Sequence, residues 1–217
     1  TNWKTTTCTK TYELLKYAGY NVRLAGNAGY SFAKIVADEE PLNYIVLELS
    51  SYQLENEPQI HSHIAGIINL TPDHLSRYNS VEDYYITKFN IFSKQTESDF
   101  ALINLDDENF EKLCNDKNLD KRIKAQKIYL SKEKKGNIFV DDGNIYIMKN
   151  LNDREEDCKD TDISENSQAK QFIAVRHLSL KGQHNLENML FLIGTARILG
   201  IPDDTTKEFL KTSKLQK

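Results

Sequence analysis

Along this chain, short apolar runs take turns with helix-period segments, and that alternation admits few architectures. Residues 44–49 (YIVLEL), 64–70 (IAGIINL) and 100–105 (FALINL) are strand-length and nearly all apolar. Such runs read as strands covered on both faces, as in a parallel sheet. Helical patterns lie around them, at 5–18 (closed by Gly19), 30–37, 80–92 and 185–199. A last helix around 207–210 follows Pro202 and Asp203, and 22–25 adds a short strand. Ser80 is the expected N-cap of its helix, with Asp83 three residues on in a weak capping box. The expected fold is α/β: a mostly parallel sheet flanked by helices. A small antiparallel region interrupts it, because 138–140 and 145–148 flank Asp141-Asp142-Gly143-Asn144, a β-hairpin turn. The polar stretch 153–170 reads as an exposed loop, and 172–180 returns to strand character.

At 217 residues and 39% hydrophobic content the chain can bury a core without disulfide or metal staples. The net charge of -4 argues against a broad nucleic-acid-binding surface, though not against a local basic site. No apolar run approaches the ~20 residues of a membrane helix, and the start does not read as a signal peptide. No membrane segment is therefore expected. Cys8, Cys114 and Cys158 show neither CxxC nor zinc spacing. A reduced, cytoplasmic compartment is the simplest expectation.

Six segments carry candidate chemistry. Asn2-Trp3-Lys4-Thr5-Thr6-Thr7 opens a helix as a phosphate-binding loop does: backbone N–H groups and a lysine draw phosphate, and a hydroxyl holds Mg²⁺. Trp3 stands where such a loop wants glycine, and the alternative is a threonine-rich helix start with no ligand. Gly26-Asn27-Ala28-Gly29 suits a tight loop that brings an amide to a ligand, or an ordinary strand-to-helix turn. Glu48, at the end of an apolar strand, is costly unless paired or metal-bound, or else it faces water. Asp73 and His74, just past another strand, suit a metal, a water or a phosphate, or a helix cap. On the helix after Ser80, Val81, Tyr84, Tyr85, Ile91 and Phe92 form one stripe, and Lys88 falls inside it. A lysine there must snorkel, pair or be modified. His184 and Asn185 open the last long helix, where Asn also serves as a cap.

These segments, in this order, resemble the central ATP-binding domain of the Mur ligases, the ATP-dependent amide-forming enzymes of peptidoglycan synthesis. Glu48-Leu49-Ser50-Ser51-Tyr52-Gln53-Leu54 is similar to the ELSSFQL signature of the D-glutamate-adding members. Asp73-His74-Leu75-Ser76-Arg77-Tyr78 is similar to their DHxDRY/H signature. The resemblance runs from residue 1 to about 210 and is weakest over 111–170. Trp3, for a loop glycine, and Ser76, for the second acidic residue of DHxDR, depart from the pattern.

The resemblance implies a P-loop-type fold and a set of roles. Asn2, Lys4, Thr5 and Thr6 would surround the phosphates, with Lys4 on the β- and γ-phosphates. Thr5, Glu48, His74 and a carbamylated Lys88 would hold Mg²⁺. Asn27 would lie near phosphates and substrate, and Asn185 would contact adenine. Lys4, His74 and Lys88 would be the catalytic set. ATP would phosphorylate the carboxylate of UDP-N-acetylmuramoyl-L-alanine, and the amine of D-glutamate would then attack the acyl phosphate. Residues 1–217 would form the middle domain of a monomeric enzyme, lacking its first strand. The N-terminal UDP-binding and C-terminal ligase domains would lie outside the chain, which alone would be weakly active or inactive. Two other readings stay open: a non-catalytic remnant that no longer binds nucleotide, and a relative with another acceptor, such as a folylpolyglutamate synthetase.

Overall fold

The computed structural model describes residues 2–39, 41–55, 59–72, 77–115, 119, 121–151 and 169–214. They divide into two compact units, one formed by residues 1–50 with 177–217 and the other by 51–176.

In the first unit, α1 (Asn2–Tyr17) leads to β1 (Val22–Gly26), α2 (Phe32–Ala37) and β2 (Tyr44–Glu48). β1 and β2 pair in parallel, from Val22 against Tyr44 to Gly26 against Glu48. α1 packs on both strands, burying Leu14 and Leu15. The helices that return to this unit are α6 (Gln183–Ile198) and α7 (Asp203–Thr212). Residues 188–196 of α6 are all buried, as an all-round apolar helix requires. Lys10 of α1 is 2% exposed. Its ammonium is satisfied by Glu13, at 2.6 Å, and by the backbone carbonyl of Lys214.

The expectation of a fully buried strand at 44–49 needs correction. Glu48 is the one buried residue of β2, and Ile45 is 37% exposed. Among the described residues β2 pairs with β1 alone. An apolar run states what a strand needs covered; it does not supply the cover.

The second unit begins with α3 (Ser51–Glu55), β3 (Ile64–Ile67) and α4 (Val81–Phe89), which runs into a 3₁₀ turn at Asn90–Phe92. β4 (Phe100–Asn104), α5 (Glu108–Asn115), β5 (Gln126–Ser131), β6 (Ile138–Asp141), β7 (Asn144–Met148) and β8 (Ala169–Ala174) follow. One sheet runs β3-β4-β5-β6-β7-β8. Its β3-to-β6 pairings are parallel; β6-β7 and β7-β8 are antiparallel. The expected mostly parallel sheet with a small antiparallel hairpin is therefore present. The hairpin turn holds Asp142 at φ 41° and Gly143 at φ 69°, the paired positive φ values of a type I′ turn. Ser80 caps α4 as expected, its hydroxyl accepting from the Asp83 N–H at 3.0 Å. The stripe on α4 includes Phe89, which packs with Phe92 and Phe110 in the core below β3 and β4. Most of the polar stretch 153–170 lies outside the described residues, and Ala169 and Lys170 open β8.

Asp99 fastens the leading end of β4 and is nearly fully buried. It accepts from the Thr96 N–H at 2.8 Å and the Thr96 hydroxyl at 2.9 Å. The rings of His61 and His63 lie 2.7 and 3.1 Å from its oxygens. Burial alone raises such a carboxyl. The Thr96 N–H, both imidazoles and the Thr96 hydroxyl together outweigh it and hold Asp99 well below the usual carboxylate range. Between its lowered value and the ordinary ~3.9, the unfolded chain binds the proton and the folded one does not, so stability falls as pH falls through that window. Asp99→Asn is expected to cost about 1–3 kcal/mol at pH 7. The gap should narrow by about 1 kcal/mol at pH 3. Urea unfolding at both pH values checks this, and an unchanged gap would refute it.

Candidate functional site

Lys4, Thr5 and Thr6 lie in the first turns of α1, which Asn2 opens. No acidic residue stands in the first turn, so nothing there opposes an anion at the positive end of the helix dipole. Trp3 shares that turn. Its backbone is not in the left-handed region, so the position asks for none of glycine's conformational freedom. The indole stacks on the ring of His184, with centroids 4.0 Å apart and planes at 24°.

β1 and β2 end side by side at Gly26 and Glu48. Gly26 has φ +98°, and a Cβ there would sit 2.3 Å from the Glu48 carbonyl oxygen. Only glycine lets the strand ends approach this closely. The next residue, Asn27, donates its backbone N–H to the Glu48 carbonyl at 2.8 Å. Its side-chain Nδ2 donates to Glu48 Oε1 at 3.0 Å. Glu48 is 1% exposed, and its Oε2 has no hydrogen-bond partner among the described residues. A buried oxygen left this way carries its full desolvation cost, and a hard cation is the ligand type that would relieve it. Cys8 lies close by, with Sγ 3.7 Å from the Leu47 carbonyl. Burial first, then the Glu48 charge, push its thiol up to about 12, with Lys4 acting in the opposite direction. Lys4, Cys8 and Glu48 thus share one end of this unit.

The start of α6 is tied to the start of α1. α6 opens at Gln183 after Gly182, so Asn185 is not its cap. Asn185 Nδ2 reaches back to the Lys181 carbonyl at 2.7 Å. Sequence reasoning missed Asn188, which is 1% exposed and accepts from the Thr7 hydroxyl at 2.8 Å. The signal was there: an amide inside the apolar run 186–193 must find a partner.

Lys88 belongs to the other unit. It is half-buried on α4, with Nζ 4.4 Å from the centroid of the Tyr84 ring one turn earlier, a cation–π contact. His74 and its neighbours 73–76 lie outside the described residues. Arg77 sets its guanidinium on Glu55, NH2 to Oε2 at 2.7 Å, and over the Tyr52 ring at 4.7 Å. The hydrogen bonds from Arg77, foremost, hold the Glu55 carboxyl below its usual range. Among the described residues no three His, Cys, Asp or Glu side chains converge as a metal cluster. Glu48 Oε2 is the feature that fits a cation.

Parallel strands with a lysine-bearing helix start and a carboxylate at their ends define a ligand-binding α/β domain. The chain belongs to the Mur ligase middle domain family, whose model matches residues 1–196, across both units. Members of this family are ATP-dependent ligases. A UDP-N-acetylmuramoylalanine--D-glutamate ligase of Fusobacterium nucleatum is 43% identical over 97% of this chain, which covers 43% of that protein. A ligase of the same name from Alkaliphilus oremlandii is 34% identical over 99% of the chain, again 43% of the relative. The chain therefore spans less than half the length of these relatives. MurF from Acinetobacter baumannii has the same fold, with TM-score 0.66 at 14% identity, covering 99% of this chain and 44% of that one. A UDP-N-acetylmuramoyl-L-alanyl-D-glutamate--2,6-diaminopimelate ligase reaches TM-score 0.70 at 18% identity, covering 99% and 45%.

Proposed function

We propose that this chain is the ATP-binding part of a ligase that adds D-glutamate to UDP-N-acetylmuramoyl-L-alanine. The reading is carried by Glu48, buried and half-satisfied beside Asn27 at the end that also holds Lys4. The likeness to ligases of that name supports it. The backbone of Trp3 lies outside the left-handed region, so the tryptophan puts no strain on the helix start.

In this reading Lys4 binds the β- and γ-phosphates over a helix start built from Asn2, Thr5 and Thr6. Asn27 lies near phosphates and substrate, and Asn185 meets the adenine. Thr5, Glu48 and His74 would hold Mg²⁺. The amine of Lys88 adds to the carbon of CO₂ and releases a proton, leaving a carbamate whose oxygens would be available to a second Mg²⁺. When bound there, Mg²⁺ would supply positive charge to offset that of the transferring phosphoryl group. The substrate carboxylate takes the γ-phosphoryl group and ADP leaves. The amine of D-glutamate attacks the acyl carbon, phosphate departs with the bonding pair, and the amine loses a proton. Residues 1–217 act as the middle domain of a monomeric cytoplasmic enzyme. Other parts of the intact polypeptide grip the UDP moiety and the amino acid, with no nucleic acid or membrane involved.

Calorimetry of Mg²⁺·ATP binding on this chain tests the reading: saturable binding is expected, and none by folded protein would overturn it. ¹³C-bicarbonate labelling should give a carbamate signal that Lys88→Ala lacks; identical spectra would remove Lys88 from the metal set. Glu48→Gln should act in two directions. Removing a buried carboxylate that has one oxygen without a hydrogen-bond partner should raise the melting temperature of the ligand-free chain by about 2–4 °C. The Mg²⁺ dependence of ATP binding should fall by about 10-fold. A melt and a titration with and without Mg²⁺ check both, and a destabilised variant would refute the first.

A further inference from the structure

Trp3 is the chain's one tryptophan, and the roles above leave it unused. The residue is half-buried. The His184 ring that stacks on it belongs to an exposed residue in the first turn of α6. A large aromatic is normally buried for its area. Here one is held flat against a second ring that belongs to an exposed residue. Its sequence neighbour is Lys4, and adjacent Cα atoms are ~3.8 Å apart. That spacing is far shorter than a nucleotide, so a ligand whose phosphates reach Lys4 brings its nucleoside within reach of residue 3.

We propose that Trp3, backed by His184, is a stacking platform for the base of the bound nucleotide. This rests on the nucleotide reading above and adds to it a subsite for a flat aromatic base. Indole offers a π face and a single N–H donor, so it suits a base and does nothing for a phosphate. The ring plane is already fixed by His184, so stacking a base costs little further ordering of the side chain. A residue that would crowd a bare phosphate loop becomes a contact that phosphates alone cannot use.

The single tryptophan makes the test direct, because all indole emission comes from residue 3. The chain is titrated with Mg²⁺·ATP and, separately, with Mg²⁺·tripolyphosphate, by fluorescence and calorimetry. ATP should change the emission saturably; tripolyphosphate should bind without that change. Trp3→Ala should lose about 10-fold in ATP affinity, the scale of one base–aromatic stack, with tripolyphosphate affinity unchanged. Trp3→Phe should keep most of the ATP affinity, and it serves if the alanine variant fails to fold. Equal ATP affinity in wild type and Trp3→Ala would overturn the platform. An equal loss for both ligands would also overturn it, leaving Trp3 as a prop for the helix start. If the folded chain binds tripolyphosphate and ATP alike, without any change in emission, the platform falls and the phosphate site stands. If it binds neither, both readings fall.

Discussion

Lys4→Ala is expected to weaken Mg²⁺·ATP binding about 100-fold or more and to leave the melting temperature where it was. The ammonium stands in the first turn of α1, where no acidic side chain competes for it. Charge-assisted hydrogen bonds to phosphate are worth about 1.5–3 kcal/mol each, and 100-fold corresponds to about 2.7 kcal/mol. Losing the charge also deprives the helix dipole of its partner in holding an anion. The contrast with Lys10, one to two turns along the same helix, is instructive. That ammonium is buried and spent on Glu13 and the Lys214 carbonyl, so its removal is a stability change. Lys4→Arg should recover part of the affinity, since charge returns without the compact ammonium shape. Calorimetry beside a thermal melt separates the two roles. An affinity within threefold of wild type would take Lys4 out of the site.

The largest expected effect on stability falls in the second unit. Phe89 is 1% exposed, stacked on Phe110 at 5.0 Å and set edge-on to Phe92 at 6.0 Å. Phe89→Ala should cost about 3–5 kcal/mol, through lost transfer energy and the cavity left between the other two rings. That is a large share of the ~5–15 kcal/mol available to a natural domain. Phe89→Leu, which fills most of the space, should cost markedly less. Urea unfolding followed by circular dichroism gives both numbers, and a cost below about 1 kcal/mol for alanine would mean the core closes over the gap.

The sequence made some elements plain and hid others for identifiable reasons. The hairpin, the Ser80-capped helix and the buried helix after Gly182 were legible, because turn chemistry, capping and all-round apolarity are local signals. α5 and β5 were not. In α5 Phe110 is the one buried residue of a charged segment, and β5 is a short run with lysines close before it. Both exist because neighbours in the sheet and core select them, which local propensity does not register. Lys4, Asn27 and Glu48 were singled out by the residue types that phosphate and cation chemistry need, and the structure sets Asn27 against Glu48. Asn188 was overlooked because a single amide in an apolar helix looks like an interruption until Thr7 supplies its partner. The Trp3–His184 pair was invisible for a different reason: it joins residues 181 positions apart, and neither carries a local sign of the other.

The first unit is built from the two ends of the chain, 1–50 and 177–217. On the ribosome its first fifty residues emerge long before the helices they need. The hydroxyl of Thr7 meets Asn188 across a sequence separation of 181, which at ~5–20 residues per second is on the order of ten seconds or more of translation. During that interval the apolar face of α1 has no α6 to cover it. The 51–176 unit, whose chain is continuous, can fold meanwhile and bring the two ends of its insertion under constraint. Late closure leaves the Lys4 end of the first unit unfinished until α6 emerges and, in a nascent chain, in need of chaperone shelter until then.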